Sequence, residues 1–504
     1  MVDSSPLAWR FALAVTLVAG IVRLAIGGLT PLYPDETYYW EWSRHLAAGY
    51  FDHPPLIAWL IRAGTLLAGD TPLGVRLFPV AAGILAGLWI CAGARRLAGD
   101  RAALVAAIVF ALMPLSAAGL ILATPDAPLF AAVSATMYAV LRVYEHAPRS
   151  TGSLRWWSVA GVALGAAMCS KYTAVLLPLG ILVAMLARRK LRERLAEPGP
   201  YVATAIALLV FSPVILWNAR HGWVSFAFQL QHGLGSAPGS VLTRELDFLR
   251  GQLGLVTPIL FGLMVVAIVR AFSSPPPSSL LAPIAVALFA FFLYSATRRR
   301  VEANWPALAY VPAILLLVAH ARTQAWERWL RAGVLLAGVL TLVIYVDSFT
   351  SILPIPARRD PVARSAGWDD LGRAVNRIHE PRLPISSYRT HVGADRYQEA
   401  SALAFHLPNH PETFALNLTS RANQYDLWPS FAERAQPRDA LILVVDDVVG
   451  AHPTVAALAP HFRSVSRGEQ VVLARNGDVV KQLRIWQLDG WLGTWPPRSL
   501  RSSP

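Results

Sequence analysis

Cysteine is almost absent. The two in the chain, Cys91 and Cys169, fall in or at the ends of apolar runs, so no disulfide framework is available to an exported domain. Charge is scarce too, since Asp, Glu, Lys and Arg make up 15% of 504 residues against 55% hydrophobic residues. A soluble domain of that size could not cover so much apolar surface, which excludes the soluble class and leaves an integral membrane protein. No internal repeat is visible. No metal-ligand spacing is strong enough to require an ion, and no cofactor is expected, although the carboxylates near His53 leave weak or optional divalent binding open. A small-residue cleavage site is also missing after Arg10, so the first apolar run reads as a membrane helix rather than a removable leader.

Apolar runs are what the chain has in quantity. A transmembrane helix needs about 20 such residues, and eleven runs qualify, at roughly 8–29, 73–95, 102–121, 127–145, 156–169, 172–188, 201–218, 254–271, 280–297, 304–321 and 330–349. The pair spanning 156–188 is interrupted by Ser170-Lys171-Tyr172 and reads equally as one bent element. The expectation is an α-helical polytopic protein of about 11 transmembrane helices, with interfacial helices in its first outer loop.

Basic residues orient the runs, because cytoplasmic loops are rich in Lys and Arg. A cytoplasmic N-terminus brings Arg95-Arg96 through Arg101, Arg142 through Arg155, Arg188-Arg189-Lys190 through Arg194, Arg270, and Arg322 through Arg331 to the inner face. The outer face then receives 33–56, Thr124-Pro125-Asp126, Ser170-Lys171-Tyr172, 218–252 and everything after Ile352. Arg298-Arg299-Arg300 breaks the pattern by falling outside, next to Glu302 and Asn304, and asks for an anionic reason. The net charge of +14 is partly this inner bias, so lipid head groups rather than nucleic acid are the implied partners.

Composition shifts after Pro354. ALILVVDD (440–447) and EQVVLARN (469–476) read as strands and 395–407 as an amphipathic helix, giving a C-terminal soluble α/β domain. The domain limits expected are 1–352 for the membrane part, 353–494 for the soluble part and 495–504 for a disordered tail rich in Pro, Ser and Arg.

The polar residues that interrupt this pattern carry the chemistry. Between two apolar runs lies YPDETYYWEWSRHLAAGYFDHPPL (33–56), too polar for hydrocarbon, where a central charge costs roughly 2.5–3.5 kcal/mol. Asp35 is open to two readings, a cap on a helix starting near Glu36 or, with Glu36 beside it, a catalytic acid pair at the outer mouth. Tyr39 and its aromatic neighbours suit any interfacial helix. Asp52-His53-Pro54-Pro55 is a turn entering a second helix, with His53 a candidate phosphate donor oriented by Asp52. Arg76 is a phosphate partner or a snorkelling arginine. Asp126 caps a helix or shares the mouth with Asp35. Lys171 and Arg298 or Arg300 together would clamp a phosphate.

These segments resemble a known family. PDETYYWEWSRHLAAGYFDHPPL, TPDAPL (124–129), SKYTA (170–174), WNARHGWVSFAFQLQHG (217–233) and RRRVEANWPA (298–307) are similar to motifs of the polyprenyl-phosphate-sugar-dependent glycosyltransferases of the GT-C superfamily. The bacterial group containing the lipid A aminoarabinose transferase and the protein O-mannosyltransferase-like enzymes is nearest. The resemblance implies catalytic roles for Asp35, Glu36 and Asp126. The donor-phosphate contacts expected are His53, Arg76, Lys171, Tyr172, Arg298 and Arg300, and the residues expected to position substrate are Asp52, Tyr39, Glu302, Asn304, Tyr388 and Tyr425. Where the aminoarabinose transferase has Glu-Lys before the two prolines, this chain has Asp52-His53, and histidine is only partly cationic at neutral pH.

The activity so implied is inverting transfer of a sugar from a polyprenyl-phosphate donor to an envelope acceptor, whether lipid A, another glycolipid, a polysaccharide or a protein. The enzyme would act as a monomer at the outer face of a bacterial inner membrane. A lipid-linked sugar transporter would want a cationic mouth too, but transporters carry repeated halves and midplane polar residues, and here the polar residues gather at one face.

Overall fold

The computed structural model describes residues 4–496 apart from 237, 322, 354, 358, 359, 361, 383–387, 419, 420 and 448–451. The tail expected at 495–504 therefore lies outside the described residues beyond Pro496. The chain divides into two compact units, Met1–Leu29 with Leu46–Tyr345, and Thr30–His45 with Val346–Pro504.

The first unit is helical. Its elements are α1 (Pro6–Leu29), then, after α2 (Pro34–Arg44) of the second unit, α3 (Leu56–Ala68), α4 (Pro72–Ala98), α5 (Asp100–Leu112), α6 (Pro114–Ala117) and α7 (Asp126–Val143). There follow α8 (Thr151–Ser170), α9 (Leu176–Ala187), α10 (Arg189–Arg192), α11 (Gly199–Arg220), α12 (Val224–Leu234), α13 (Val241–Val256), α14 (Pro258–Ala271), α15 (Ser278–Arg298), α16 (Tyr310–Ala319) and α17 (Gln324–Thr350). Five of the described helices, α1, α4, α11, α15 and α17, are long and apolar enough to cross a membrane, and α13 with α14 makes a sixth candidate bent by 101°. This is the build of a multi-pass membrane protein.

Breaks in the remaining apolar runs have local causes. Pro114 has no N–H to give the Phe110 carbonyl four residues back, and α5 stops at Leu112. The freed carbonyls are taken by Arg23, buried within α1, which donates to Phe110 and Ala111 at 3.3 and 3.2 Å, and by the Ser116 hydroxyl. The bend between α13 and α14 falls at Thr257, whose φ of 77° is outside the helical region; the following proline disfavours helical backbone there. The Thr257 hydroxyl then caps Leu260 N at 3.4 Å.

The second unit is an α/β domain. It contains α18 (Trp368–His379), β1 (Thr390–Ala394), α19 (Tyr397–His406), β2 (Thr413–Ala415), α20 (Phe431–Arg434), β3 (Ala440–Asp446), α21 (Pro453–Leu458), β4 (Phe462–Arg475) and β5 (Asp478–Trp491). The sheet order is β2-β1-β3-β5-β4, with β1 parallel to β2 and β3, and β5 antiparallel to β3 and β4. Central strand β3 is buried along Ala440–Val445, as a near-continuous apolar run demands. The helix expected as amphipathic, α19, is instead buried from Glu399 to Phe405.

Part of that burial comes from α2, which packs on α19. The Thr37 and Ser401 hydroxyls are 3.0 Å apart, Trp40 meets Phe405 edge-on at 5.0 Å, Gln424 N donates to the Tyr38 hydroxyl at 2.7 Å, and Arg44 donates to the His410 carbonyl at 2.7 Å. The acidic aromatic segment thus belongs to the same compact unit as the C-terminal sheet, although it lies between the first apolar helices in sequence.

Candidate functional site

In the first unit, three segments far apart in sequence meet at Asp126. This residue opens α7, where the positive end of the helix favours a carboxylate. One carboxylate oxygen accepts from Lys171 Nζ at 2.7 Å and the other from Asn304 Nδ2 at 2.7 Å. Lys171 leaves α8 in extended backbone, and Asn304 precedes the 3-10 turn Trp305–Ala309. Asp126 and Lys171 are only 9% and 8% exposed, so the ion pair offsets a desolvation cost that neither charge could bear alone. An ammonium has three donors, and Asp126 takes one. The pair can hold a cation in place for an incoming anion.

A second network fixes the turn at 46–55. The Asn218 amide, fully buried near the end of α11, donates to the Tyr172 hydroxyl at 3.2 Å and accepts from Ser225 N at 3.2 Å. The Ser225 hydroxyl donates to the Tyr50 carbonyl at 2.8 Å, and Gln229 Nε2 donates to the Asp52 carbonyl at 2.7 Å. Phe51 packs against Phe228 with ring centres 5.2 Å apart. Gly49 is required here, since a Cβ would stand 2.7 Å from the Trp217 ring. Asp52 is buried and His53 half-buried, so the turn before the prolines is held from its backbone outward. Asn218, Ser225 and Gln229 were not singled out from the sequence. The signal was a run of polar residues, spaced along a quoted motif, at the end of an apolar helix.

The cations distribute unevenly. Arg76 is buried and donates to the Gly27 carbonyl at 2.6 Å, so it does not snorkel. Arg298 donates to the Leu234 carbonyl at 3.0 Å and Arg299 to the Gln231 carbonyl at 2.7 Å. Both thereby satisfy carbonyls at the C-terminal end of α12, where cations are favoured. Arg300 is exposed, 3.6 Å from an exposed Glu302, and such a surface pair contributes little.

In the second unit, Asp35 and Glu36 occupy the first turn of α2. The capping role falls to Glu36, buried, whose carboxylate accepts from Tyr33 N at 2.9 Å; Asp35 is half-buried beside it. Tyr39 packs against Trp42 with centres 4.9 Å apart. Tyr425 stacks on Tyr38 at 6.2 Å, and burial holds its phenol well above the ordinary pKa. Arg438 donates to the Tyr388 hydroxyl. Arg421 and Asp426 are used within the domain: Arg421 lies over the Tyr397 ring at 5.2 Å and Asp426 accepts from Asn423 N at 2.7 Å. No group of three or more His, Cys, Asp or Glu among the described residues is arranged to hold a metal ion.

Residues 52–217 match the family model described as dolichyl-phosphate-mannose-protein mannosyltransferase. The chain is 27% identical over 317 residues to the lipid A galacturonosyltransferase RgtD of Rhizobium johnstonii, covering 62% of this chain and 65% of the relative. It is 25% identical over 241 residues to the lipopolysaccharide core galacturonosyltransferase RgtB of the same organism, covering 47% and 48%. It thus spans less than two thirds of the length of either curated relative. The crystal structure of ArnT from Cupriavidus metallidurans bound to undecaprenyl phosphate superposes with a TM-score of 0.64 at 19% identity, over 94% of this chain and 97% of that one. The chain therefore shares the fold of ArnT, and in sequence its residues 52–217 resemble the dolichyl-phosphate-mannose-protein mannosyltransferases.

Proposed function

We propose that this chain is a membrane glycosyltransferase that moves a sugar from a polyprenyl-phosphate donor to an envelope lipid. The observation that carries the reading is the buried Lys171–Asp126–Asn304 cluster together with an apolar groove that includes Pro128, two residues beyond Asp126. The groove holds about 530 Å³ and runs past Leu56, Leu85, Trp89 and Val162, a place for an isoprenoid chain whose phosphate Lys171 grips. ArnT was crystallised with undecaprenyl phosphate, and the curated relatives are named for lipid A and lipopolysaccharide core, which supports such a donor and such an acceptor. Because both relatives are named galacturonosyltransferases, a uronic acid is the first sugar to test.

In the proposed reaction Asp35 takes the proton of the acceptor hydroxyl, a role worth about 10²–10⁴ in rate. The oxygen attacks the anomeric carbon, the carbon–oxygen bond to phosphate breaks with inversion, and polyprenyl phosphate leaves. A phosphate monoester whose second ionisation lies near pKa about 6 needs no general acid to depart. Lys171, with His53, Arg76, Tyr172, Arg298 and Arg300 as further candidates, stabilises the departing charge. Asp126 orients Lys171, and Glu36 supports Asp35 by closing the first turn of α2. No metal is assigned a step.

The same reading carries finer assignments: eleven spans, a monomer, an inner-membrane protein whose residues 353–494 form a soluble domain on the periplasmic face. Mass spectrometry of envelope lipids from cells with and without the protein, followed by turnover of a polyprenyl-phosphate uronic acid by purified protein in liposomes, tests the activity. Loss of one glycosylated lipid and its restoration in vitro is the expected result. Donor crossing the liposome bilayer with no glycosylated product would replace the reading with a transporter.

A further inference from the structure

At the opposite end of α4 from the Asp126 cluster lies a second cleft of about 820 Å³, within the roughly 300–1,000 Å³ of small-ligand pockets. The chain passes along α4, turns at Gly99, where φ is 91°, and returns through α5 before it reaches Asp126. The cleft lies where that turn, α5, the end of α16 and the start of α17 meet. Its walls are Leu97, Val105, Ile108, Val318, Leu330 and Val334, and its charged lining residues are Arg101, Arg331 and Glu327.

We propose that this cleft binds an anionic phospholipid of the bilayer, with an acyl chain against the apolar walls and the phosphate between Arg101 and Arg331. One wall is the start of α17, of whose most apolar window only 22% is buried, so the cleft opens beside a helix that faces the surroundings of the protein. A water-soluble anion would gain nothing from six apolar side chains, and a zwitterionic lipid would gain nothing from the net positive charge. Arg101 and Arg331 are both exposed. The Glu327–Arg331 pair, at 3.2 Å with 54% and 82% side-chain exposure, is weak enough for a phosphate to share the guanidinium. Basic pockets between membrane helices on the cytoplasmic side are suited to anionic head groups, and the charge bias of the loops places this end of α4 there.

The inference needs the chain to span a membrane but not to transfer sugar, so it stands or falls separately from the proposed activity. Full-length protein purified in detergent is mixed with cardiolipin, phosphatidylglycerol or phosphatidylcholine, and retained lipid is read by native mass spectrometry. The parent is expected to keep an anionic lipid and release phosphatidylcholine. R101Q/R331Q is expected to lower anionic retention about tenfold, and Val105→Trp, which fills the cleft without touching a charge, to lower it as well. Equal retention of phosphatidylcholine, or of cardiolipin by the parent and either variant, would overturn it.

Discussion

The hydroxyls of Thr37 and Ser401 lie 3.0 Å apart across 364 residues of sequence. Thr37 is two residues from the proposed base Asp35, on a helix that rests on α19 of the C-terminal domain. The position of Asp35 is therefore set by the packing of that domain as much as by its own loop. Ser401→Ala, which removes the hydroxyl bond with little change in volume, is expected to cost about 1 kcal/mol and to lower kcat while leaving donor KM near the parent value. Tyr38→Phe leaves the buried Gln424 N–H without its 2.7 Å partner and is expected to cost more, about 1–3 kcal/mol. Thermal unfolding together with a full kinetic comparison measures both; a fall in donor affinity with unchanged kcat would contradict the coupling.

Asp35→Asn keeps the size of the side chain and removes the base. Transfer is expected to fall by about 10²–10⁴ with folding and membrane insertion intact, because the capping bond to Tyr33 N belongs to Glu36 and not to Asp35. Turnover within a factor of two of the parent would end the assignment. Glu36→Gln should behave differently, losing part of the helix cap and with it some stability.

Lys171→Met leaves Asp126 buried without its cation, a loss of roughly 3–5 kcal/mol for a broken buried pair. Adding Asp126→Asn should recover most of the stability and none of the donor binding, which separates the structural part of the pair from its functional part. A double variant that regains turnover would show that Lys171 serves only to neutralise Asp126. Arg300→Ala, by contrast, removes an exposed side chain with one loose ion pair. Any effect it has should appear in donor affinity and not in stability, and equal losses for donor and acceptor would argue for a structural role.

Much of this was legible along the chain, and the parts that were not share a cause. Lys171 stood out because it interrupts an apolar run on the outer side, and Asp126 and Asn304 stood in motifs of the same group; periodicity alone could not say that the three touch. Buried strand 440–446 was readable because a β-branched apolar run needs cover on both faces. The docking of α2 on α19 was not, since Thr37, Tyr38 and Trp40 look like any interfacial helix until a partner surface is known. Nor was the role of Arg23, because the need for it arises from a carbonyl freed by Pro114, more than 80 residues away. The arginine triplet looked like a demand for a ligand anion, and pattern gave no sign that two of its members also meet the carbonyl end of α12. Long-range polar pairing is a property of tertiary contact, so it leaves little trace in local pattern.

Gly49 and Asn218 give a test of the turn that holds Asp52 and His53. Gly49→Ala places a Cβ 2.7 Å from the Trp217 ring, and Asn218→Leu strands the Ser225 N–H. Each is expected to destabilise by about 1–3 kcal/mol and to loosen residues 46–55, read as faster proteolysis at that turn. If both variants unfold no earlier than the parent and cut no faster, the turn is held by something other than α11 and α12.

Topology gives the test with the widest consequences. Eleven spans with a cytoplasmic start put residues 358–504 outside, whereas a count of six candidate spans would put them inside. The arrangement matters chemically, because α2 and the C-terminal sheet form one compact unit and Asp35 must travel with it to the face where the acceptor lies. A C-terminal reporter pair separates the cases. Alkaline phosphatase fused after Pro504 should be active and green fluorescent protein dark. Fluorescence without phosphatase activity would place the domain in the cytoplasm and overturn both the span count and Asp35 as the base for an acceptor on the outer face.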